Sequence, residues 1–578
     1  MGAREVPDIN NMGIKEKIKN LVEKSLKNLS IETESIALEH PVDLKMGDYS
    51  TNIALALAKK LKTNPKELAE KIVSELSRNL PREISKVEVA GVGFINFYLS
   101  PEFFVENVKE ILGSKNFGQN KNFGGQKFFI EHTQPNPFKE FHIGHLMNNT
   151  IGESVVRIVK KNGGKVKTCS YHGDVGLHVA KAIWWMKKQN VMPQDVATEV
   201  MGVAYKFGSI AYEEDPNARR EIDNINKKIY NKEEEIYEKY YLPGRKISLS
   251  SFENIYEKLD SHFDYHFYES EAGEVGKKLV LDNLGKVFSE GEKGAVIFQG
   301  ENFEPKTHTR VFMNSEKLPT YEAKEIGLAQ IKKDKYEYDK SITITANEQN
   351  AFFNVVEVAI GEVFPELKGK LKHLSHGILR LPSGKMSSRT GDIITAESLM
   401  DQVKEKVLEK IKDREFSELE KNEVAEMVAI GAIKYSILHQ SIGGDIIFDF
   451  EKAISFEGDS GPYLQYSYAR ARSVLEKAKA ENIDLATRSP SGWEITEIEK
   501  ILYKFPEIVL RSAQEFEPHY IANYLIELAR AFNGFYGDNK IIDKNDPFSP
   551  YKIAMTEAFS LVLKNGLHLL GIKAPEKM

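Results

Sequence analysis

Residues 127–167 read KFFIEHTQPNPFKEFHIGHLMNNTIGESVVRIVKKNGGKVK, and their pattern decides the fold. Phe128, Phe129 and Ile130 form a short apolar run closed by Glu131, the length and composition of a buried strand. Pro135, Asn136 and Pro137 follow, and a residue ahead of proline is pushed out of helical geometry, so this stretch is a loop. From His142-Ile143-Gly144-His145 onward, Ile151, Val155, Ile158 and Val159 recur at the spacing of one helical face. Gly163-Gly164 ends that helix, and 165–168 reads as the next strand. Strand, loop, helix and strand together make one parallel crossover unit. Two imidazoles one turn apart then stand at a helix N-terminus, where free N–H groups and the helix dipole favour phosphate. The unit predicts a nucleotide site.

At 578 residues the chain is too long for one core, and three or four domains are expected. Hydrophobic content of 41% and charged content of 28% describe an ordinary globular protein. Seventy-nine basic residues against 85 acidic ones leave a net charge of −6, which excludes a uniformly basic nucleic-acid coat but not local basic patches. One cysteine, Cys169, excludes an internal disulfide and a zinc site built on several thiolates, and suits a reducing cytoplasm. No run approaches the ~20 apolar residues that cross a bilayer. MGAREVPDIN at the start lacks the apolar centre of a secretory signal, and Val6 stands where an acylation signal has Ser or Thr. A cytoplasmic protein without membrane contact is the expectation.

Taken in order, 13–29 is an amphipathic helix with lysines at 15, 17, 19, 24 and 27 on its outer face. Asp48-Tyr49-Ser50-Thr51 reads as the cap of a helix over 52–61, and Asn64-Pro65 opens a third helix. Strands at 87–90 and 94–99, turned by Gly91 and Gly93, complete a small α+β domain. From 184 to about 300 the pattern loosens into charged helices, read as an insertion. Alternation resumes with strands at 296–299, 309–313, 341–346 and 374–381 and helices at 320–333 and 397–411, so two crossover halves closing one parallel sheet is the simplest assembly. From 416 on the pattern is helical, predicting a bundle over 422–440, 462–480, 496–511, 518–536 and 551–570.

Lys385-Met386-Ser387-Ser388-Arg389 lies in a loop between a predicted strand and helix. Alone it is a weak signal. Joined in this order to the histidine pair, it resembles the paired signatures of the class I aminoacyl-tRNA synthetases, and the arginyl-tRNA synthetase family is the closer likeness, along essentially the whole chain. Five segments carry it: Glu131 through His145; Thr320-Tyr321-Glu322-Ala323-Lys324-Glu325; Gly458-Asp459-Ser460-Gly461-Pro462-Tyr463-Leu464-Gln465-Tyr466; Ala90-Gly91-Val92-Gly93-Phe94-Ile95-Asn96-Phe97; and the ending from Leu570-Gly571-Ile572 to Met578. The resemblance implies a Rossmann-like parallel sheet with an N-terminal α+β domain and a C-terminal all-α bundle. Its parts would be 1–122 for tRNA contact, 123–400 for catalysis with an insertion at about 186–300, 401–455 as a helical connection and 456–578 for the anticodon.

It also implies roles. His142, His145, Lys139, Lys385 and Ser387 would act on the transferring phosphate and triphosphate, with Pro135, Phe141, Gly144, Gly377, Ile378, Leu379, Met386 and Ser388 completing the ATP site. Glu131, Asn136, His145, Tyr321, Glu325 and Gln349 would hold arginine, and Tyr463, Gln465, Tyr466 and Arg470 would meet tRNA. Residue chemistry agrees, because a guanidinium is best held by carboxylates and an aromatic face. Three departures stand out. Glu325 replaces the family's usual Asp. Ser388 and Thr390 occupy the two places where a further lysine often follows, and Lys139, ahead of the histidines, is the candidate substitute. Asn347-Glu348-Gln349-Asn350 differs from the commoner form of its loop.

The expected activity is ATP-dependent attachment of L-arginine to tRNA(Arg), with Mg²⁺ on the nucleotide, no zinc, and a monomeric enzyme. No Cys, Asp or Glu completes a metal set around the two histidines. Two rivals remain: a small-molecule nucleotidyltransferase with the same His-x-x-His loop, which has no use for the flanking domains, and a non-catalytic tRNA-binding paralogue, which would not need the histidines and lysines.

Overall fold

A computed structural model describes residues 13–196, 198–380 and 395–578. The chain divides into two compact units, one made of Met1–Phe117, Val474–Lys504 and Arg530–Val562 and the other of Gly118–Ser473, Phe505–Ala529 and Leu563–Met578.

In the first unit, strands β1 (Tyr49–Thr51), β2 (Ile84–Ala90) and β3 (Phe94–Leu99) form an antiparallel sheet in the order β1-β3-β2. Helices Ile14–Asn28, Ile53–Leu61 and Pro65–Leu76 contribute Ile18, Val22, Ile53, Leu57, Leu68 and Ile72 to a core that also takes Ile95, Phe97 and Tyr503. Most of the 48–51 stretch is thus strand β1, and its part in capping the next helix is confined to the Thr51 hydroxyl, which accepts from the Ile53 N–H at 3.3 Å. Tyr49 and Thr51 alternate into the core opposite Phe97 and Ile95, while the Asp48 carboxylate accepts from the Leu99 N–H at 2.7 Å. Gly93 turns the β2–β3 hairpin at φ +129°, and a Cβ there would come within 3.0 Å of the Pro65 backbone. The helix predicted over 496–511 is two helices, Glu497–Leu502 and Phe505–Glu515, because Pro506 has no N–H to continue the first.

The second unit carries β4 (Lys127–Glu131), β5 (Lys165–His172), β6 (Tyr265–Tyr268), β7 (Ser289–Glu290), β8 (Val296–Phe298), β9 (Arg310–Met313), β10 (Lys340–Ala346), β11 (Leu371–His376), β12 (Leu379–Arg380) and β13 (Ile446–Ile447). Five of them make a parallel sheet in the order β11-β10-β4-β5-β6. Phe128, Phe129, Ile130, Ile342 and Ile344 are buried in it, as a sheet covered on both faces requires. Three expectations change here. The 186–300 stretch supplies the edge strand β6, so it is not wholly an insertion. β8 and β9 pair with β7 in a separate antiparallel sheet. The strand predicted at 374–381 is two, because β12 leaves the sheet to pair with β13.

β4 leads to β5 on one side and β10 leads to β11 on the other, so the chain diverges between two neighbouring strands. A parallel sheet opens a crevice at the carboxyl ends of such a pair. Among the described residues, no helix is long and apolar enough to cross a membrane.

Candidate active site

A cavity of about 600 Å³ occupies that crevice. Glu131 at the end of β4 and Thr345 and Ala346 at the end of β10 form its floor, and it is also lined by Asn136, His142, Gly144, His145, Tyr321, Glu325 and Gln349. Residues far apart in sequence and predicted for one site are thus brought together.

At one end, helix Ile143–Lys161 begins at His142, its N-cap. His142 Nδ1 accepts from the Gly144 N–H at 3.1 Å, and His145 Nδ1 accepts from the His142 N–H at 3.3 Å. The rings stack with centroids 3.7 Å apart. Gly144 is required because a Cβ there would lie 2.9 Å from the His142 ring. With both Nδ1 atoms used as acceptors, each neutral ring carries its proton on Nε2. Burial, and then the nearby Lys139 ammonium, lowers the pKa of His142 to about 4. Burial, then His142 and Lys139, pushes that of His145 well below its usual value. The helix start therefore offers two neutral N–H donors as well as its own dipole. Phe141 packs behind them, its ring centroid 5.3 Å from that of His145, and the Pro135 carbonyl accepts from His172 Nδ1 at 2.8 Å.

The other end is acidic. Glu131 is buried, forms an ion pair with the equally buried Lys332, and accepts from Gln134 at 2.6 Å. Burial, and next the Glu131 charge, raises the Glu325 pKa to about 8. Two ion pairs rim this end: Glu322 with Arg310 at 3.0 Å, and Glu269 with Lys324 at 2.6 Å. Tyr321 is exposed, with the Lys324 ammonium 5.0 Å above its ring. Close backbone contact sets this wall. Helices Glu269–Asp282 and Tyr321–Lys335 meet at Gly276 and Gly327, where an added Cβ would strike the carbonyls of Ala323 and Ala272. Polar atoms of Asn148, Tyr171 and His376, which also line the cavity, are buried and unpartnered. Such atoms need a polar ligand or water.

Of the other predicted residues, Asn136 lines the cavity and several lie outside it. Asn136 Oδ1 is fixed by the Gly173 N–H at 3.0 Å. Lys139 lies beside the cavity with its ammonium 4.6 Å from the Tyr205 ring centroid. Gly377 and Ile378 have spent their N–H groups on the Ile442 carbonyl and the Asp445 carboxylate, at 3.1 and 2.9 Å, and Leu379 pairs with Ile446. Lys385, Met386, Ser387 and Ser388 fall outside the described residues. Tyr466 and Arg470 stack at 4.8 Å and, with Tyr463, stay partly exposed. Gln465 does not face RNA: it is fully buried, and its amide donates to the carbonyls of Met427 and Lys573 at 3.2 and 2.7 Å.

Sequence reasoning missed Lys332 and Asp174. Lys332 stands two helical turns beyond Glu325, so shared-face spacing was its only signal. Asp174, just past β5, accepts from Tyr241, the Ser270 N–H and the Ser270 hydroxyl at 3.0, 2.9 and 2.7 Å, and pairs with Arg245 at 3.0 Å. Its place at the carboxyl end of a parallel strand was a usable hint.

The buried imidazoles predict an acid-labile unit. His132, His172 and His178 are lowered to about 3 and His142 and His373 to about 4, chiefly by burial. Unfolded histidine binds a proton near pH 6.5. Stability is therefore complete above that pH and falls below it by about 1.4 kcal/mol per pH unit per histidine at the steepest. Glu325, raised to about 8, opposes this as a single group. Thermal midpoints measured from pH 7 to pH 4.5 are expected to drop steeply; a flat profile would show the histidines charged in the native state.

The catalytic-domain profile of class I (R) tRNA synthetases matches residues 107–450, a DALR anticodon-binding domain matches 464–578, and an arginyl-tRNA synthetase N-terminal domain matches 14–99. An arginine–tRNA ligase of Borrelia hermsii is 30% identical over 98% of this chain and 100% of its own. One from Fusobacterium nucleatum is 31% identical over 97% and 98%. In fold, the chain is similar to the Thermus thermophilus arginyl-tRNA synthetase structure, with a TM-score of 0.79 at 24% identity over 98% of this chain and 100% of that one. It is similar also to the Plasmodium falciparum arginyl-tRNA synthetase structure, with a TM-score of 0.80 at 20% identity over 98% and 99%. Three profiles in order along the sequence, and relatives aligned end to end, leave one assignment: the chain belongs to the class I arginyl-tRNA synthetases.

Proposed function

We propose that this chain is an arginine–tRNA ligase that forms arginyl-adenylate from L-arginine and ATP and passes the arginyl group to tRNA(Arg). The observation that carries the reading is one cavity with neutral imidazole donors at a helix start and a protonated carboxylate, Glu325, at its acidic end. Glu131 and Asn136 hold the α-amino end of arginine, while Tyr321, Glu325 and Gln349 line the pocket for its guanidinium side chain. The substrate carboxylate is ionised at neutral pH and attacks the α-phosphorus directly, and pyrophosphate leaves with the bond's electron pair. No protein base is needed for that step. His142 and His145 donate from Nε2 to the phosphate oxygens as negative charge builds on them. Lys139, Lys385 and Ser387 serve the leaving pyrophosphate. The terminal ribose 2′-OH of tRNA then attacks the arginyl carbonyl and AMP departs.

ATP use follows from family membership, and Mg²⁺, when bound, neutralises charge on the triphosphate. In this reading the ion rides on the nucleotide's own oxygens, as Mg²⁺ commonly does. Phe141 supports the nucleotide indirectly, by packing against His145, and Pro135 does so by holding its loop to His172. Adenine would lie near Gly377–Leu379. Tyr463, Tyr466 and Arg470 offer stacking and charge to unpaired bases of tRNA. We read the enzyme as a cytoplasmic monomer divided at 1–122, 123–400, 401–455 and 456–578. Neither rival function gains support, since all three family profiles and the curated relatives point to arginine–tRNA ligase. Pyrophosphate exchange into ATP, run with tRNA present and each amino acid in turn, tests the reading. Exchange is expected with arginine alone, and exchange driven by another amino acid would overturn it.

A further inference from the structure

Three consecutive residues of the loop ahead of His142 are seated in the helices that lie between β5 and β6. Phe138 is fully buried in a core with Val179, Ile183, Met201, Ala204 and Tyr241. It is held at φ +65° with its N–H donating to Ser248 at 3.0 Å. A bulky residue keeps that backbone conformation only where its surroundings fix it. Glu140 lies against Gly202 so closely that a Cβ there would come within 2.5 Å of its side chain. Between them, the Lys139 ammonium stands 4.6 Å from the Tyr205 ring centroid. Gly202 and Tyr205 are one turn apart on helix Thr198–Glu214 and so share a face.

We propose that Tyr205 is a positioning residue: its ring face holds the Lys139 ammonium beside the imidazole pair and keeps hold of it while the ammonium meets the triphosphate of ATP. The helices between β5 and β6 then have a task, which is to set the geometry of the catalytic loop. A ring face suits this better than a carboxylate, because it attracts an ammonium without neutralising it, so the charge still acts on phosphate. Lys139 keeps its electrostatic influence on His142, His145 and His178 from this perch. Glu269, whose carboxylate feels the Lys139 charge, is already paired with Lys324.

The inference rests on the reading that Lys139 serves the triphosphate, and the variants separate the two. Full-length Tyr205→Leu, Tyr205→Phe, Lys139→Ala and the Lys139→Ala/Tyr205→Leu double variant are compared in pyrophosphate exchange with tRNA present. Thermal midpoints confirm that each is folded. Tyr205→Leu is expected to lower kcat/KM for ATP by roughly 5- to 30-fold, the span of a partly desolvated cation–π contact. KM for arginine should be unchanged. Tyr205→Phe, which keeps the ring, should stay within about twofold of wild type. In the Lys139→Ala background, Tyr205→Leu should cost nothing more. Lys139→Ala at wild-type activity would overturn the Lys139 role and the Tyr205 role with it. An impaired Lys139→Ala beside an unimpaired Tyr205→Leu would overturn the Tyr205 role alone. So would additive losses in the double variant, which would mark Tyr205 as structural support.

Discussion

His142→Ala is expected to slow arginyl-adenylate formation by about 10²- to 10³-fold, the usual loss of one preorganised donor to a developing oxyanion. Arginine affinity should barely move, because the histidine end of the cavity is separate from the acidic end. Alanine also removes an N-cap, at about 1 kcal/mol of stability. His142→Asn answers that objection: asparagine caps helices well, so a variant that is stable yet slow isolates the catalytic loss. Both Nδ1 atoms accept backbone N–H bonds, so the pair acts through Nε2–H donors, and a deep pKa depression keeps those donors neutral. Equal losses in arginine binding and in rate would contradict the role.

Glu325→Gln is expected to weaken arginine binding by about 2–5 kcal/mol, roughly 30- to 5,000-fold, since the guanidinium loses a buried anionic partner. A second signature accompanies it. With a pKa near 8, Glu325 holds its proton at pH 7 in the free protein. A guanidinium favours the ionised form and drives that proton out. Binding should therefore release close to one proton per arginine at pH 7 and none well above pH 8. Affinity should rise as pH climbs towards 8 and then level. Calorimetry in two buffers of different ionisation enthalpy reads this directly, and Glu325→Gln should abolish the release. Binding without proton release in the wild-type protein would show that the guanidinium does not meet a protonated Glu325.

The histidine loop was legible because its information is local: two prolines, a glycine between two imidazoles, and helical periodicity within a few turns. The double cap was not, since it depends on the rotamers of His142 and His145. β6 escaped notice because Tyr265-His266-Phe267-Tyr268 is short, lies among charged helices, and becomes a strand only by pairing with β5. The Glu131–Lys332 pair joins the end of β4 to a helix some two hundred residues later, and no pattern in one sequence reports such a contact. Gln465 misled for the opposite reason. A polar residue in a tyrosine-rich segment reads as a surface for RNA, whereas here it ties two backbone carbonyls together inside the protein.

The central claim is that one cavity joins arginine to ATP and then to tRNA. Incubating the full chain with labelled arginine, ATP, Mg²⁺ and total tRNA tests it most directly. The account predicts acid-precipitable arginyl-tRNA that requires ATP, is lost on mild alkaline treatment, and is not formed when the terminal adenosine lacks its 2′-OH. Binding of tRNA without charging, or an adenylylated product formed with no tRNA in it, would contradict the account.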